Sequence, residues 1–276
     1  MLPNNYNLEG KTALITGSAG LLGKHHAKAL AELKCNIILT DINTLLLGEH
    51  IDDLTTAHNC EVMGFQMDVT KKSSIVELFQ FLESKNTFVD ILINNAAINP
   101  SIRPPNQTPE ATRFENFELD EWCRQIDVGL TGAFLCSQIF GNAMAESNKS
   151  GVILNIASDL SVIAPDQRLY SLPELKGKEQ PTKPVSYSVV KTGLIGLTRY
   201  LAAYWAEKGV RCNALSPGGI KNNQNELFIQ KLESLIPLGR MANVDDYESA
   251  VQFLCSDASA YMTGQNIVID GGRSIL

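Results

Sequence analysis

The chain has 276 residues, 44% hydrophobic and 19% charged, enough apolar material for one large α/β domain or two small ones. A net charge of −7 argues against nucleic acid or an anionic membrane as a partner. Cys35, Cys60, Cys123, Cys136, Cys212 and Cys255 form no Cys-x-x-Cys pair, and the four histidines stand at no metal-ligand spacing. Reduced thiols in a cytoplasmic protein are therefore expected, with neither a disulfide frame nor a bound metal.

From the start of the chain, Met1-Leu2-Pro3-Asn4-Asn5-Tyr6 lacks the charged and apolar regions of a signal peptide. Residues 12–16 read as a first buried strand, 21–33 as a helix and 36–40 as a second strand. Residues 62–67 and 89–94 read as the third and fourth strands, with a helix over 75–84 between them. A helix over 120–145 leads to a fifth strand at 152–156, and a helix over 186–207 to a sixth at 210–216. A helix over 244–255 precedes the last strand, 267–270. The strands are continuous apolar runs, as expected of strands covered on both faces. Their alternation with helices predicts an α/β fold, a doubly wound parallel sheet of about seven strands with helices on both faces. No repeat or linker interrupts the pattern, so a single domain over 1–276 is expected. No apolar run is long enough to cross a bilayer, so no membrane partner is expected.

Two stretches break the rhythm. Residues 99–116 carry Pro100, Pro104, Pro105 and Pro109, and residues 164–184 carry Pro165, Pro173, Pro181 and Pro184 with several charges. Both follow predicted strands, and loops beyond the carboxyl ends of strands line the ligand crevice of such sheets. The second stretch is read as a substrate-covering insert, with Asp166, Gln167, Arg168 or Tyr170 as contacts. The plain alternative is a solvated surface excursion.

Thr16-Gly17-Ser18-Ala19-Gly20-Leu21-Leu22-Gly23 follows the first strand and opens a helix. Glycines there allow a tight turn and close approach of a pyrophosphate, whose charge the helix N-terminus favours. The second strand then leads into Asp41, whose carboxylate can accept hydrogen bonds from the adenosine ribose hydroxyls and would repel a 2′-phosphate. No basic residue lies in the turn and Ile42 follows the aspartate, so NAD is favoured over NADP. Asp41 has a second reading, as the start of a turn or a helix cap.

Tyr187 and Lys191 stand four residues apart, on one face of a predicted helix. An ammonium beside a phenol is expected to lower its pKa and to let it exchange protons with an alcohol or ketone near neutral pH. Alone the spacing is a common coincidence; joined to the glycine turn it is not.

With Asp68-Val69, Asn94-Asn95-Ala96-Ala97, Ser158, Pro217-Gly218 and Asp270-Gly271-Gly272, these motifs follow one another in an order that resembles the short-chain dehydrogenase/reductase family, single-domain branch, over nearly the whole chain. The resemblance implies a Rossmann-type fold and a secondary alcohol or ketone as substrate. It implies Ser158, Tyr187 and Lys191 as the catalytic set. The cofactor would be held by Gly17, Ser18, Gly20, Leu21, Leu22, Asp41, Ile42, Asp68, Val69, Asn95, Ala96, Ala97, Pro217, Gly218 and Ile220, together with Tyr187 and Lys191. Asn94 would brace the central strands. The chain departs from the family pattern in the Gly-x-x-Gly-x-x-Gly spacing, in Ala96-Ala97, in Asn222, and in Gly129, where an asparagine that holds a relay water is usual. The insert and residues 200–205 are similar to oxidoreductases of flagellin-glycan and nonulosonic-acid modification and to gluconate 5-dehydrogenase-like enzymes, which implies a polyhydroxylated substrate. The family likeness also implies a homo-oligomer, a tetramer or dimer, through the helices at 120–145 and 186–207. The rival reading is a non-catalytic dinucleotide sensor or scaffold on the same fold.

Overall fold

The computed structural model describes residues 3–100, 102, 108–147 and 149–276. Seven strands form one parallel sheet: β1 (Thr12–Thr16), β2 (Asn36–Asp41), β3 (Val62–Gln66), β4 (Ile91–Asn94), β5 (Gly151–Ile156), β6 (Val210–Pro217) and β7 (Asn266–Ile269). Their order is β3-β2-β1-β4-β5-β6-β7, every pairing parallel. Alternate side chains of one strand serve two cores. Ala13, Ile15, Ile37, Leu39, Ile91 and Ile93 join one, and Leu14, Ile38 and Leu92 join the other. Both faces are dry, which is why these strands read as unbroken apolar runs.

Among the described residues there are seven helices, α1 (Leu21–Ala31), α2 (Thr44–Ala57), α3 (Lys72–Ser84), α4 (Leu119–Glu146), α5 (Val185–Tyr204), α6 (Glu226–Glu233) and α7 (Glu248–Cys255), of which α6 packs against the insert rather than the sheet. Two of them, α2 and α6, are absent from the sequence reading. In α2, Leu45 and Leu46 face solvent, so the apolar pattern does not mark one side of the helix. Its start is set instead by Asn43, whose side chain accepts from Leu46 N. Helix α6 is eight residues long and buries only Ile229 and Leu232. By length and apolarity alone α4 could cross a membrane, contrary to the expectation from sequence; half of its most apolar stretch is buried inside the fold.

Helix α4 contains two π-helical turns, Asp127–Thr131 and Ser137–Gly141. At Gly129 a Cβ would lie 2.6 Å from Val190 Cγ1 of α5. Valine is stiff about χ1, so it cannot easily turn away. The two helices come this close only because position 129 has no side chain.

Strand order reverses between β1 and β4, which opens a crevice at the carboxyl ends of the strands. The glycine turn, the insert and the loop after β6 all face this crevice.

Candidate active site

The glycine turn forms one end of the crevice. Gly17 has φ +62°, and a Cβ there would lie 2.7 Å from Ala96 Cα, so only glycine lets the turn press against the end of β4. Asn95 Nδ2 donates to Thr16 O at 3.0 Å and to Gly17 O at 2.9 Å, which fixes the turn. Helix α1 then starts at Gly20 with no side-chain cap, leaving its first N–H groups without side-chain partners. Asp41 Oδ2 accepts from Ala19 N at 3.0 Å, and Oδ1 from Asn43 N at 2.9 Å. The carboxylate therefore does organise a turn, yet it also lines the crevice and keeps lone pairs for a further donor. Glycine backbone, an uncapped helix start and a carboxylate together suit a dinucleotide.

Strand β5 delivers Ser158 to the other end. Its Oγ donates to Asp159 Oδ1 at 2.8 Å and accepts from Leu160 N at 3.2 Å. Asp159 Oδ2 is held at 2.7 Å by Arg273 Nη1, and both side chains of this ion pair are over nine-tenths buried. Helix α5 starts just past Pro184, with Tyr187 in its first turn and Lys191 one turn on. Lys191 Nζ donates to Ile156 O at 2.8 Å and lies 5.7 Å from the centre of the Tyr187 ring. A second ammonium, Lys183 Nζ, is nearer the ring centre at 4.1 Å and donates to Asn99 Oδ1 at 2.6 Å.

The electrostatics correct one expectation. Burial pushes the Tyr187 phenol up to about 12, with the Ser158 hydroxyl pulling the other way. Burial, then the neighbouring Lys183, brings Lys191 down to about 8. Burial also brings Lys183 down to about 8, against the pull of Asp159. Desolvation of the phenol prevails, and what opposes it is the Ser158 hydroxyl rather than the expected lysine.

A cavity of about 420 Å³ joins the two ends. Gly17, Gly20, Leu21, Leu22, Asp41, Asn95, Ala97, Ser158, Tyr170, Tyr187, Lys191, Pro217, Gly218 and Ile220 line it, all of them expected from sequence. Several expected residues stand apart from it. Ser18 is buried with Oγ on Thr40 O, Ala96 packs beneath Gly17, Val69 packs on Gly132, and Ile42 faces solvent. Asp68 is not among the lining residues and accepts instead from Thr70 and Lys71. In the insert, Asp166 and Arg168 pair with each other at 2.6 Å, Arg168 being exposed, while Gln167 accepts from Lys183 N. Only Tyr170 of the four expected substrate contacts reaches the cavity, beside Leu169, and it packs on Phe228 of α6.

Asn94 Nδ2 donates to Asn155 Oδ1 at 2.8 Å, tying β4 to β5. The two proline-rich stretches also meet: Thr182 Oγ1 donates to Thr112 O, and Lys183 reaches Asn99. Ser101 and residues 103–107, with Pro104 and Pro105, lie outside the described residues. The sequence points to Lys183 only as one of several insert residues able to partner hydroxyls or phosphate, and it does not single out Asp159, Asn99, Arg273, or the α6 side chains Phe228 and Leu232.

Comparison with known proteins agrees with this geometry. The family described as short chain dehydrogenase matches residues 11–171, and that described as Enoyl-(Acyl carrier protein) reductase matches residues 175–274. An NAD-dependent glycerol dehydrogenase of Listeria innocua is 29% identical over 277 residues, covering 98% of this chain and 96% of the relative. A D-threitol dehydrogenase of Mycolicibacterium smegmatis is 30% identical, covering 98% of this chain and 95% of that one. The crystal structure of a gluconate 5-dehydrogenase from Burkholderia cenocepacia, in complex with NADP and tartrate, superposes with a TM-score of 0.81. It is 28% identical and is matched over 99% of this chain and 98% of its own.

Proposed function

Because the chain belongs to the short-chain dehydrogenase family and is an oxidoreductase of that family, we propose that it moves hydride between NAD and a secondary alcohol or ketone of a small polyhydroxylated substrate. The observation that carries this reading is the meeting of Ser158, Tyr187 and Lys191 in the cavity that the glycine turn opens. The backbone from Gly17 to Leu22 would hold the pyrophosphate, Asp41 the adenosine ribose, and Lys191 the nicotinamide ribose. Bound there, the dinucleotide supplies or accepts the hydride.

The chain's own part is the proton. With its phenol up at about 12, Tyr187 keeps its proton at neutral pH and can donate it to a carbonyl oxygen as that oxygen becomes an alcohol. In the reverse direction the same oxygen takes the alcohol proton, and the Lys191 ammonium stabilises the phenolate. Ser158 positions the reacting oxygen. Its hydroxyl has one proton, which Asp159 Oδ1 and the substrate oxygen would share.

Asp41 supports NAD over NADP, as does the glycerol relative's cofactor; the Burkholderia relative is in complex with NADP. Glycerol, threitol and gluconate in the relatives' names support a polyhydroxylated substrate. Among this chain's residues Gly129 is what favours the scaffold reading, and the Val190 contact accounts for a glycine there. The test is absorbance at the reduced-nicotinamide band, with NAD or NADP and a panel of polyols, keto sugars and their phosphates. Absence of turnover with every member would overturn the proposal.

A further inference from the structure

The substrate end of the cavity carries more positive charge than hydride transfer to a neutral polyol needs. Lys183 ends the insert with its Nζ 4.1 Å from the centre of the Tyr187 ring and 2.6 Å from the neutral Asn99 Oδ1. Arg273 and Lys191 line the same end. One carboxylate stands against these three cations, Asp159, and Arg273 Nη1 already holds it at 2.7 Å. Asp41, the other carboxylate lining the cavity, belongs to the glycine turn, where it accepts from Ala19 N. Among the described residues Lys183 forms no ion pair. Lys183 is half-buried and its bond to Asn99 is exposed, so the ammonium keeps some water; burial still brings it down to about 8, against the pull of Asp159. It has three donors, and Asn99 takes one of them.

We propose that the substrate is an anion, a polyol bearing a carboxylate or phosphate group, and that Lys183 binds that group while Tyr187 meets the reacting oxygen. The proposal rests on the hydride-transfer reading and narrows it. Because Lys183 covers the face of the ring whose hydroxyl does the proton transfer, the anionic group lies within a few bonds of the reacting carbon. A neutral polyol can satisfy the ammonium's hydrogen bonds but not its charge.

The experiment is calorimetric titration of the full chain, saturated with NAD at neutral pH, with three probes of one carbon skeleton: sorbitol, gluconate and sorbitol 6-phosphate. Gluconate or the phosphate is expected to bind at least roughly tenfold more tightly than sorbitol. In Lys183→Gln, which keeps a donor but loses the charge, the preference should vanish while NAD affinity stays. Lys183→Arg should retain the preference, which separates charge from side-chain shape. Preference for one anion alone identifies its group as the one recognised. The proposal is overturned if neither anion outbinds sorbitol, or if the preference survives in Lys183→Gln. Anion binding with no turnover would count against the redox reading and leave the binding site standing.

Discussion

Two lysines approach the ring of Tyr187 from different elements, Lys191 one turn along α5 and Lys183 from the end of the insert. Burial keeps the proton on the phenol, so the residue rests in its acid form. Deleting the hydroxyl should therefore remove the proton step and little else. Tyr187→Phe is expected to lower turnover by a factor on the order of 10² or more, with NAD affinity by calorimetry nearly unchanged. Near-normal turnover would remove Tyr187 from its role. Asp41 makes the matching prediction at the other end of the cavity. Its Oδ2 already accepts from Ala19 N, so its charge is fixed beside the glycine turn, where a 2′-phosphate would meet it. NAD is expected to bind roughly tenfold more tightly than NADP, about 1.4 kcal/mol, and Asp41→Ser should shrink that gap. Equal affinities in the unsubstituted chain would show that the carboxylate serves only the turn.

At the level of elements, the contact between α4 and α5 is set by an absent side chain. An asparagine at position 129 would bring its Cβ to 2.6 Å from Val190 Cγ1, so something must shift, and valine is stiff about χ1. Gly129→Asn is expected to destabilise by about 1–3 kcal/mol, as overpacking does, and to lower the melting temperature. Adding Val190→Ala should recover much of the loss; a lone Gly129→Asn protein as stable as the parent would show that the helices part easily. The same contact shows what a sequence can disclose. Gly129 was legible as a departure from a pattern, but its reason lies in Val190, sixty-one positions away, and no periodicity reports such a contact. The strands were legible because both their faces are dry. Helix α2 was not, because Leu45 and Leu46 point to water. Ser158, Tyr187 and Lys191 were legible through spacing and order. Asp159 and Arg273 were not, because an ion pair across 114 positions leaves no local signature. Arg168 was an expected substrate contact, yet Asp166 two residues away claims it.

For the molecule as a whole, one buried residue bears on acid stability and one exposed helix face on the expected assembly. Inside, His26 of α1 is buried and its Nε2 has no hydrogen-bond partner among the described residues. Burial, then His25, lowers it from 6.5 to about 3. Between those values the unfolded chain binds a proton that the folded chain refuses, so folding stability falls as pH drops through that window. The slope from this residue is at most about 1.4 kcal/mol per pH unit. His26→Leu should flatten the acid-side decline in urea unfolding, and an unchanged slope would assign that decline to other groups. Outside, α5 turns an unpartnered stripe to solvent: Val189, then Gly196 with open space above it, then Tyr200 and Tyr204, whose rings stack at 5.6 Å. Phe134 of α4 is exposed too. Of Leu194, Leu197, Leu201, Tyr204 and Trp205, the apolar residues that suggest a subunit seam in this part of the sequence, Leu194, Leu201 and Trp205 are core, Leu197 is half-buried against it and Tyr204 is exposed. The stripe is thus narrower than the sequence suggested, but it is aromatic at its end, as interface cores are. A helix face of this kind satisfies itself by meeting its own copy across a two-fold axis. Light scattering at micromolar concentration is expected to give a dimer or tetramer, and Tyr200→Glu with Tyr204→Glu to reduce it, because four like charges would then face one another across the axis. A particle of the single-chain mass, 30.2 kDa, for the unsubstituted protein would show that the stripe meets only water.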